Sequence, residues 1–171
     1  IFKIKTTGNL TDDLSKTGVL YKDIKFFEHN FVGVMPCEVL VDTKKKNGLM
    51  RLSVMKKIEQ LQLVLDSFPE FSRAVSIVDF AKYAKQAFYN GETNFYTLPN
   101  SQEKGWIFPY TTNLQSDKVL SENIFTDSLN QVARISMRMA DISTPKLDSI
   151  MDILQPKIDK IFDGEKYNVT V

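Results

Sequence analysis

The first part of the chain alternates between apolar spacings typical of helices and of strands. A first amphipathic helix has its apolar residues at Val19, Leu20, Ile24, Phe27 and Phe31. Gly33 ends this helix, and residues 34–41 are rich in β-branched side chains, which predicts a strand with Pro36 near its start. A longer helix is predicted over residues 49–68, with its apolar face at Leu49, Leu52, Met55, Ile58, Leu61, Leu65 and Phe68. Pro69 ends it, because proline lacks a backbone N–H donor.

The middle of the chain combines a short strand, a helix and a polar insertion. Residues 72–78 predict a second strand, and residues 79–89 predict a third helix that stops at Asn90-Gly91. The residues expected inside that helix are Ala81, Ala84, Ala87 and Phe88. Residues 91–118 are rich in Asn, Thr, Ser and Gln, so we expect an insertion there with one short helix, capped at Asn100.

In the last third of the chain, apolar residues first recur at every second position and then at the spacing of a helix. Over residues 131–140, Ala133, Ile135, Met137 and Met139 alternate with Arg134, Ser136 and Arg138. This alternation predicts a strand with one packed face and one solvated face, and residues 124–129 are expected to form the other arm of a hairpin. Thr144 as cap and Pro145 in the first turn predict a helix over residues 145–162, kinked at Pro156. A last strand is predicted over residues 167–171.

The order of these elements is strand, helix, strand, repeated once. It predicts an α+β protein, a ferredoxin-like βαβ-βαβ sandwich with an N-terminal helical segment and a helical or loop insertion. Helices would cover one face of a mainly antiparallel sheet, and the other face would need a partner or water.

Composition and charge exclude several functional classes. A chain of 171 residues is one domain by its length, and folding should bury roughly 70% of its surface. Its 22 basic and 21 acidic residues nearly cancel, which argues against a nucleic-acid partner. Cys37 is the single cysteine and His29 the single histidine, so neither a disulfide nor a His/Cys metal site is expected. No apolar run reaches the roughly 18 to 20 residues of a membrane span, and the N-terminus lacks the pattern of a signal peptide. Because the strand-like IFKIK and YNVTV at the two ends do not resemble natural termini, we expect an excised domain.

Candidate catalytic groups are few. Asp12-Asp13 are adjacent, which is more typical of a helix start than of an acid and base pair. Cys37 and Glu38 should point to opposite faces of one strand. No phosphate-binding glycine loop, nucleophile elbow or metal-ligand spacing is present, so we predict no catalytic, cofactor-binding or metal-binding residue.

The candidate contact residues are aromatic and basic. Trp106, Phe108 and Tyr110 in the insertion offer apolar area to a lipid-like ligand or a neighbouring domain, although internal packing is the more common explanation for such residues. Arg134 and Arg138 share one strand face and would suit an acidic partner or plain solvation.

Several strings carry a resemblance to a known family. They are TDDLS, YKDIKFFEHNF, GVMPCEVLVDTKKKNG, FPEFSRAVSIVDFAKYAKQAFYNG, LPNSQE, QVARISMRMADI and KYNVTV. Their order and spacing resemble the first extracytoplasmic loop of bacterial exporters of the resistance, nodulation and division superfamily, in the branch of the mycobacterial membrane protein large and Patched-like proteins.

The resemblance implies a porter-like domain over residues 1–171, with a membrane-proximal lead-in at 1–15 and the insertion at 91–118. It further implies a position on the periplasmic face of the inner membrane and a proton-driven exporter of amphipathic or lipid-like molecules. Its partners would be a second extracytoplasmic domain of the same chain, transmembrane helices outside this segment, a lipid-like substrate and further copies in an oligomer. The proton-relaying residues of the family lie in membrane helices, so none is carried over. A stand-alone ligand-binding or interaction domain remains an alternative, and an enzyme would require a pocket joining Asp12, Asp13 or Asp79 to His29.

Overall fold

The computed structural model describes residues 11, 14–31, 33–107 and 124–171. Its helices are α1 (Val19–Phe31), α2 (Leu52–Leu65), α3 (Ile77–Phe88) and α4 (Thr144–Ile161). Its strands are β1 (Met35–Asp42), β2 (Val132–Met139) and β3 (Asn168–Thr170), and short 3-10 turns cover Gly48–Met50 and Thr93–Phe95. The described chain is therefore an α+β protein, as the sequence predicts.

The strands form a three-stranded antiparallel sheet in the order β2-β1-β3. Val39 pairs with Ile135 of β2, and Val41 pairs with Val169 of β3. Both pairings join segments far apart in sequence, so β1 is the centre around which the sheet assembles.

The prediction of a regular strand over residues 72–78 is wrong. Residues 71–75 run beside the free edge of β2 through isolated antiparallel bridges, Phe71 to Met139 and Val75 to Ser136. The segment leaves the sheet after Val75, because the Ser76 hydroxyl accepts the Val78 N–H and caps α3. Helix α3 consequently begins two residues before the predicted Asp79.

The hydrophobic core lies between α2, α4 and one face of the sheet. The alternation predicted for β2 is confirmed, since Ala133, Ile135, Met137 and Met139 are all buried. Helix α2 packs against α4 and contributes Val54, Met55, Ile58, Leu61 and Leu65 to the core. Helix α4 contributes Ile150, Leu154 and Ile158.

Several other predicted boundaries differ from the structure; the helix predicted over residues 49–68, for example, covers Leu52–Leu65 and ends before Pro69. Residues 124–129 pair with β2 through one bridge, Thr126 to Ala133, because the Asp127 carboxylate accepts the N–H groups of Gln131 and Val132 and closes a turn there. Ser143 occupies the N-cap position of α4 without a side-chain hydrogen bond, so Thr144 is the first residue of the helix rather than its cap.

The predicted cap in the insertion is confirmed. The Asn100 side chain accepts the Glu103 N–H at 2.8 Å, and the Glu103 carboxylate accepts the Asn100 N–H at 2.8 Å. Predictions for residues 108–118, for Asp12 and Asp13, and for most of the lead-in at 1–15 lie outside the described residues.

Candidate functional site

Among the described residues, the outer face of the sheet is not covered by a helical layer comparable to α2 and α4. Successive side chains of a strand point to opposite faces of the sheet. On β1, Pro36, Glu38 and Leu40 therefore point outward, while Val39 and Val41 face the core. On β2 the same alternation turns Arg134, Ser136 and Arg138 outward. This open face is where a ligand or a partner has access to the sheet.

Helix α1 borders this face without contributing to the core. None of its residues is buried, and Phe27 and Phe31 are 47% and 50% exposed. The apolar face predicted from the sequence is thus present but is not packed into the core. Glu28 accepts the Asp141 N–H at 3.1 Å.

Gly33 sets the approach of α1 to the sheet. Its φ of 145° lies in the region that favours glycine, and a Cβ atom there would collide with the Met139 backbone. The chain can therefore pass directly over the end of β2 and hold the Phe27 and Phe31 rings, which stack on each other at 5.6 Å, beside the outer sheet face.

An open groove of about 980 Å³ lies between α1 and the sheet. Its apolar lining comes from Phe27, Phe31, Val34, Pro36, Val75 and Phe125. Its polar lining comes from Glu38, Ser72, Arg73, Ser136 and Arg138. A second cleft of about 260 Å³ shares Phe125 with it and continues along the sheet past Leu40 and Ile124. We call the 980 Å³ space the outer groove.

The arginines around the outer groove differ in how they are neutralised. Arg73 lies 3.0 Å from the Asp79 carboxylate and also donates to the Tyr96 hydroxyl. Arg134 donates to the Ile124 carbonyl and lies 3.6 Å from Glu38. The Arg138 guanidinium has neither a hydrogen bond nor an ion pair with any part of the chain that the structure describes. Of the described arginines around the outer groove, Arg138 is therefore the one available to meet a ligand.

The sequence-predicted contact residues do not come together. Arg138 lines the outer groove, and Arg134 lines the neighbouring cleft. Trp106 is 48% exposed in a short helical turn of the insertion and lines neither space. Phe108 and Tyr110 lie outside the described residues.

The main residues that sequence reasoning missed are Phe27, Phe31, Arg73 and Phe125. The two α1 rings have the spacing of an ordinary buried helix face, so their spacing alone could not identify them. Phe125 and Arg73 reach the groove only because residues 71–75 and 124–127 both lie along one edge of β2.

The cysteine thiol faces away from the outer groove. Cys37 is half-buried against the core, and burial, with a smaller contribution from Glu38, raises the pKa of its thiol. A thiol held protonated at neutral pH is a poor nucleophile. Glu38 lies on the opposite strand face, as the sequence predicts.

Two further features are absent from the part of the chain that the structure describes. No group of three or more His, Cys, Asp or Glu side chains there is arranged to hold a metal ion. None of the described helices is both long and apolar enough to cross a membrane.

Comparisons with known proteins do not identify a family for this chain. No protein-family model matches it, and neither do any curated proteins or solved structures.

Proposed function

We propose that the chain is a ferredoxin-like, porter-type domain. Support comes from the chain order β1, α2, residues 71–75, β2, α4, β3, and from the spatial order, in which residues 71–75 lie beside β2 and are followed by β1 and β3. Every neighbouring pair in that order is antiparallel. Two βαβ units that interlock in this way, with both helices on one face, are the defining feature of the split βαβ arrangement.

We further propose that this domain belongs to a proton-driven exporter of the resistance, nodulation and division type, in the branch of the mycobacterial membrane protein large and Patched-like proteins. It would stand on the periplasmic face of the inner membrane and guide or gate an amphipathic, lipid-like substrate without catalysing a reaction. The outer groove carries this proposal, because aromatic rings and a free arginine together suit a molecule with apolar and polar parts.

The partners follow from the same hypothesis. A second extracytoplasmic domain of the exporter would pack against this one, and transmembrane helices would flank it. The exposed Trp106 belongs to the insertion, does not line the outer groove, and would supply an aromatic anchor for such a domain.

A stand-alone ligand-binding or interaction domain is the second candidate. The outer groove supports it equally, since a ligand site on the sheet does not require a membrane. The two candidates differ in what surrounds the segment in the complete gene product.

The test extends the natural reading frame on both sides of residues 1–171. Spans of about 20 apolar residues before Ile1 and after Val171 are expected for the exporter. The full-length protein carrying Ser101→Cys, at an exposed position, should then react with a membrane-impermeant maleimide in spheroplasts, whereas the protein without that substitution should not gain the label. Polar flanks, or labelling at Ser101→Cys only after lysis, would favour the stand-alone domain.

A further inference from the structure

The outer groove has the dimensions and lining of a small-ligand site. Ligand pockets in proteins are typically about 300 to 1,000 Å³, mostly apolar, with a few polar groups that fix the orientation of the ligand. The groove's volume of about 980 Å³ lies in that range. Phe27 and Phe31 of α1 and Phe125 before β2 give the groove an aromatic lining from two separate segments of the chain.

The charges that line the groove are unequal. Glu38 is balanced by Arg134, and Arg73 is balanced by Asp79. Arg138 is left as an unbalanced positive charge among the described residues of the groove. A guanidinium binds a carboxylate through two parallel hydrogen bonds, and such charge-assisted bonds are the strong ones.

We infer that the outer groove binds a single-chain amphiphile with a carboxylate head group. The hydrocarbon tail lies between Phe27, Phe31 and Phe125, and the carboxylate pairs with Arg138. This inference rests on the proposed function and deepens it by naming the substrate's chemical class. It selects an anionic head group over a neutral or cationic one, which the apolar walls alone would not do.

Calorimetric titration of the 171-residue chain with monomeric dodecanoate, below its micelle concentration, tests the inference. Dodecyl maltoside and dodecyltrimethylammonium supply neutral and cationic heads on the same tail. Dodecanoate should bind tightest, and Arg138→Gln should weaken it about tenfold, the loss expected for one charge-assisted pair, while leaving dodecyl maltoside within about twofold. Arg51→Gln removes the same charge from an exposed position outside the groove and should leave both affinities unchanged.

A second variant separates the tail from the head. Phe27→Ser lies on an exposed helix face and should weaken both dodecanoate and dodecyl maltoside by a similar factor. Equal affinity for the three head groups, or equal losses in Arg138→Gln and Arg51→Gln, would overturn the inference. So would binding to anionic vesicles without binding to monomeric dodecanoate, because the face would then be a membrane contact.

The result separates this inference from the exporter proposal. Membrane spans on both flanks without dodecanoate binding would overturn the ligand class and leave the exporter standing. Specific binding with polar flanks would do the reverse.

Discussion

Lys85 of α3 and Glu103 of the insertion form a largely buried ion pair. Their charged atoms lie 2.9 Å apart, and the two side chains are only 10% and 12% exposed. Lys85 also donates to the Thr97 hydroxyl, and the Glu103 carboxylate accepts from the Tyr89 hydroxyl. The pair therefore fastens the insertion to α3, although nothing in the polar composition of the insertion distinguishes it from a loose loop.

The stability that Glu103 contributes should depend on pH. Burial opposes ionisation, but the Asn100 N–H, Lys85 and Tyr89 outweigh it and lower the pKa of Glu103. A lowered folded-state pKa gives a contribution that is complete above the ordinary glutamate value of about 4.3 and is lost as the pH falls through the folded-state value. Glu103→Gln should cost about 2 to 3 kcal/mol of unfolding free energy at pH 7.

Urea unfolding of the two proteins from pH 7 downward measures this gap, which should shrink once the pH falls below about 4.3. Glu92→Gln, at an exposed position of the same insertion, is the matched control and should cost little at any pH. A gap for Glu103→Gln that does not change with pH would assign the loss to shape rather than to charge.

Ser76 should be costly to replace because it serves two partners. Its hydroxyl caps α3, and it donates to the side-chain carbonyl of Gln62 at 3.0 Å in a fully buried position. Ser76→Ala removes the cap and leaves the Gln62 oxygen without this donor, for a loss of about 2 kcal/mol. Chemical denaturation should show this loss for Ser76→Ala and almost none for Ser101→Ala, which is exposed; equal values would contradict the double role.

Local patterns predicted most elements of this fold, and their order predicted an α+β protein with a mainly antiparallel sheet, but they did not predict which residues pair between strands. The alternation around Ile135 and the helical spacing around Ile58 depend on the near neighbours of each residue, so the chain alone reveals them. The pairing of Val39 with Ile135 joins residues that no local pattern connects. The site depends on such pairings even more strongly, because Phe27, Arg73, Phe125 and Arg138 come from four separate segments.

The alternation of apolar and polar residues in β2 correctly predicted that Arg134 and Arg138 share a face. It could not predict that the two side chains have different neighbours. The Arg134 guanidinium contacts Glu38 and the Ile124 carbonyl, whereas the Arg138 guanidinium has no such partner among the described residues. Similarly, the spacing of Phe27 and Phe31 predicted an apolar helix face but could not say what covers it. That information lies in the tertiary contacts.

Substitutions at two adjacent residues test which face of α4 packs into the core. Leu154 is fully buried in the core, whereas Ile153 is 53% exposed. Leu154→Ala should lower the free energy of unfolding by about 3 kcal/mol, since it removes transfer energy and leaves a cavity. Ile153→Ala should cost less than about 1 kcal/mol, because alanine also has the better helix propensity. Thermal and urea unfolding measure both values, and a reversed order would mean that the helix faces the sheet differently.

Gly33 connects stability to the outer groove. Its φ of 145° and the closeness of the Met139 backbone leave no room for a Cβ atom, so Gly33→Ala should cost about 2 kcal/mol or more and displace α1. Gly164→Ala is the matched control, because nothing lies near its Cβ position. Unfolding measurements give the cost, and limited proteolysis should show earlier cleavage in residues 19–31 of Gly33→Ala than of the control. If Gly33→Ala retained the stability and protection of the parent, the close passage of the chain over β2 would be wrong, and the wall that α1 forms beside the groove would have to be drawn elsewhere.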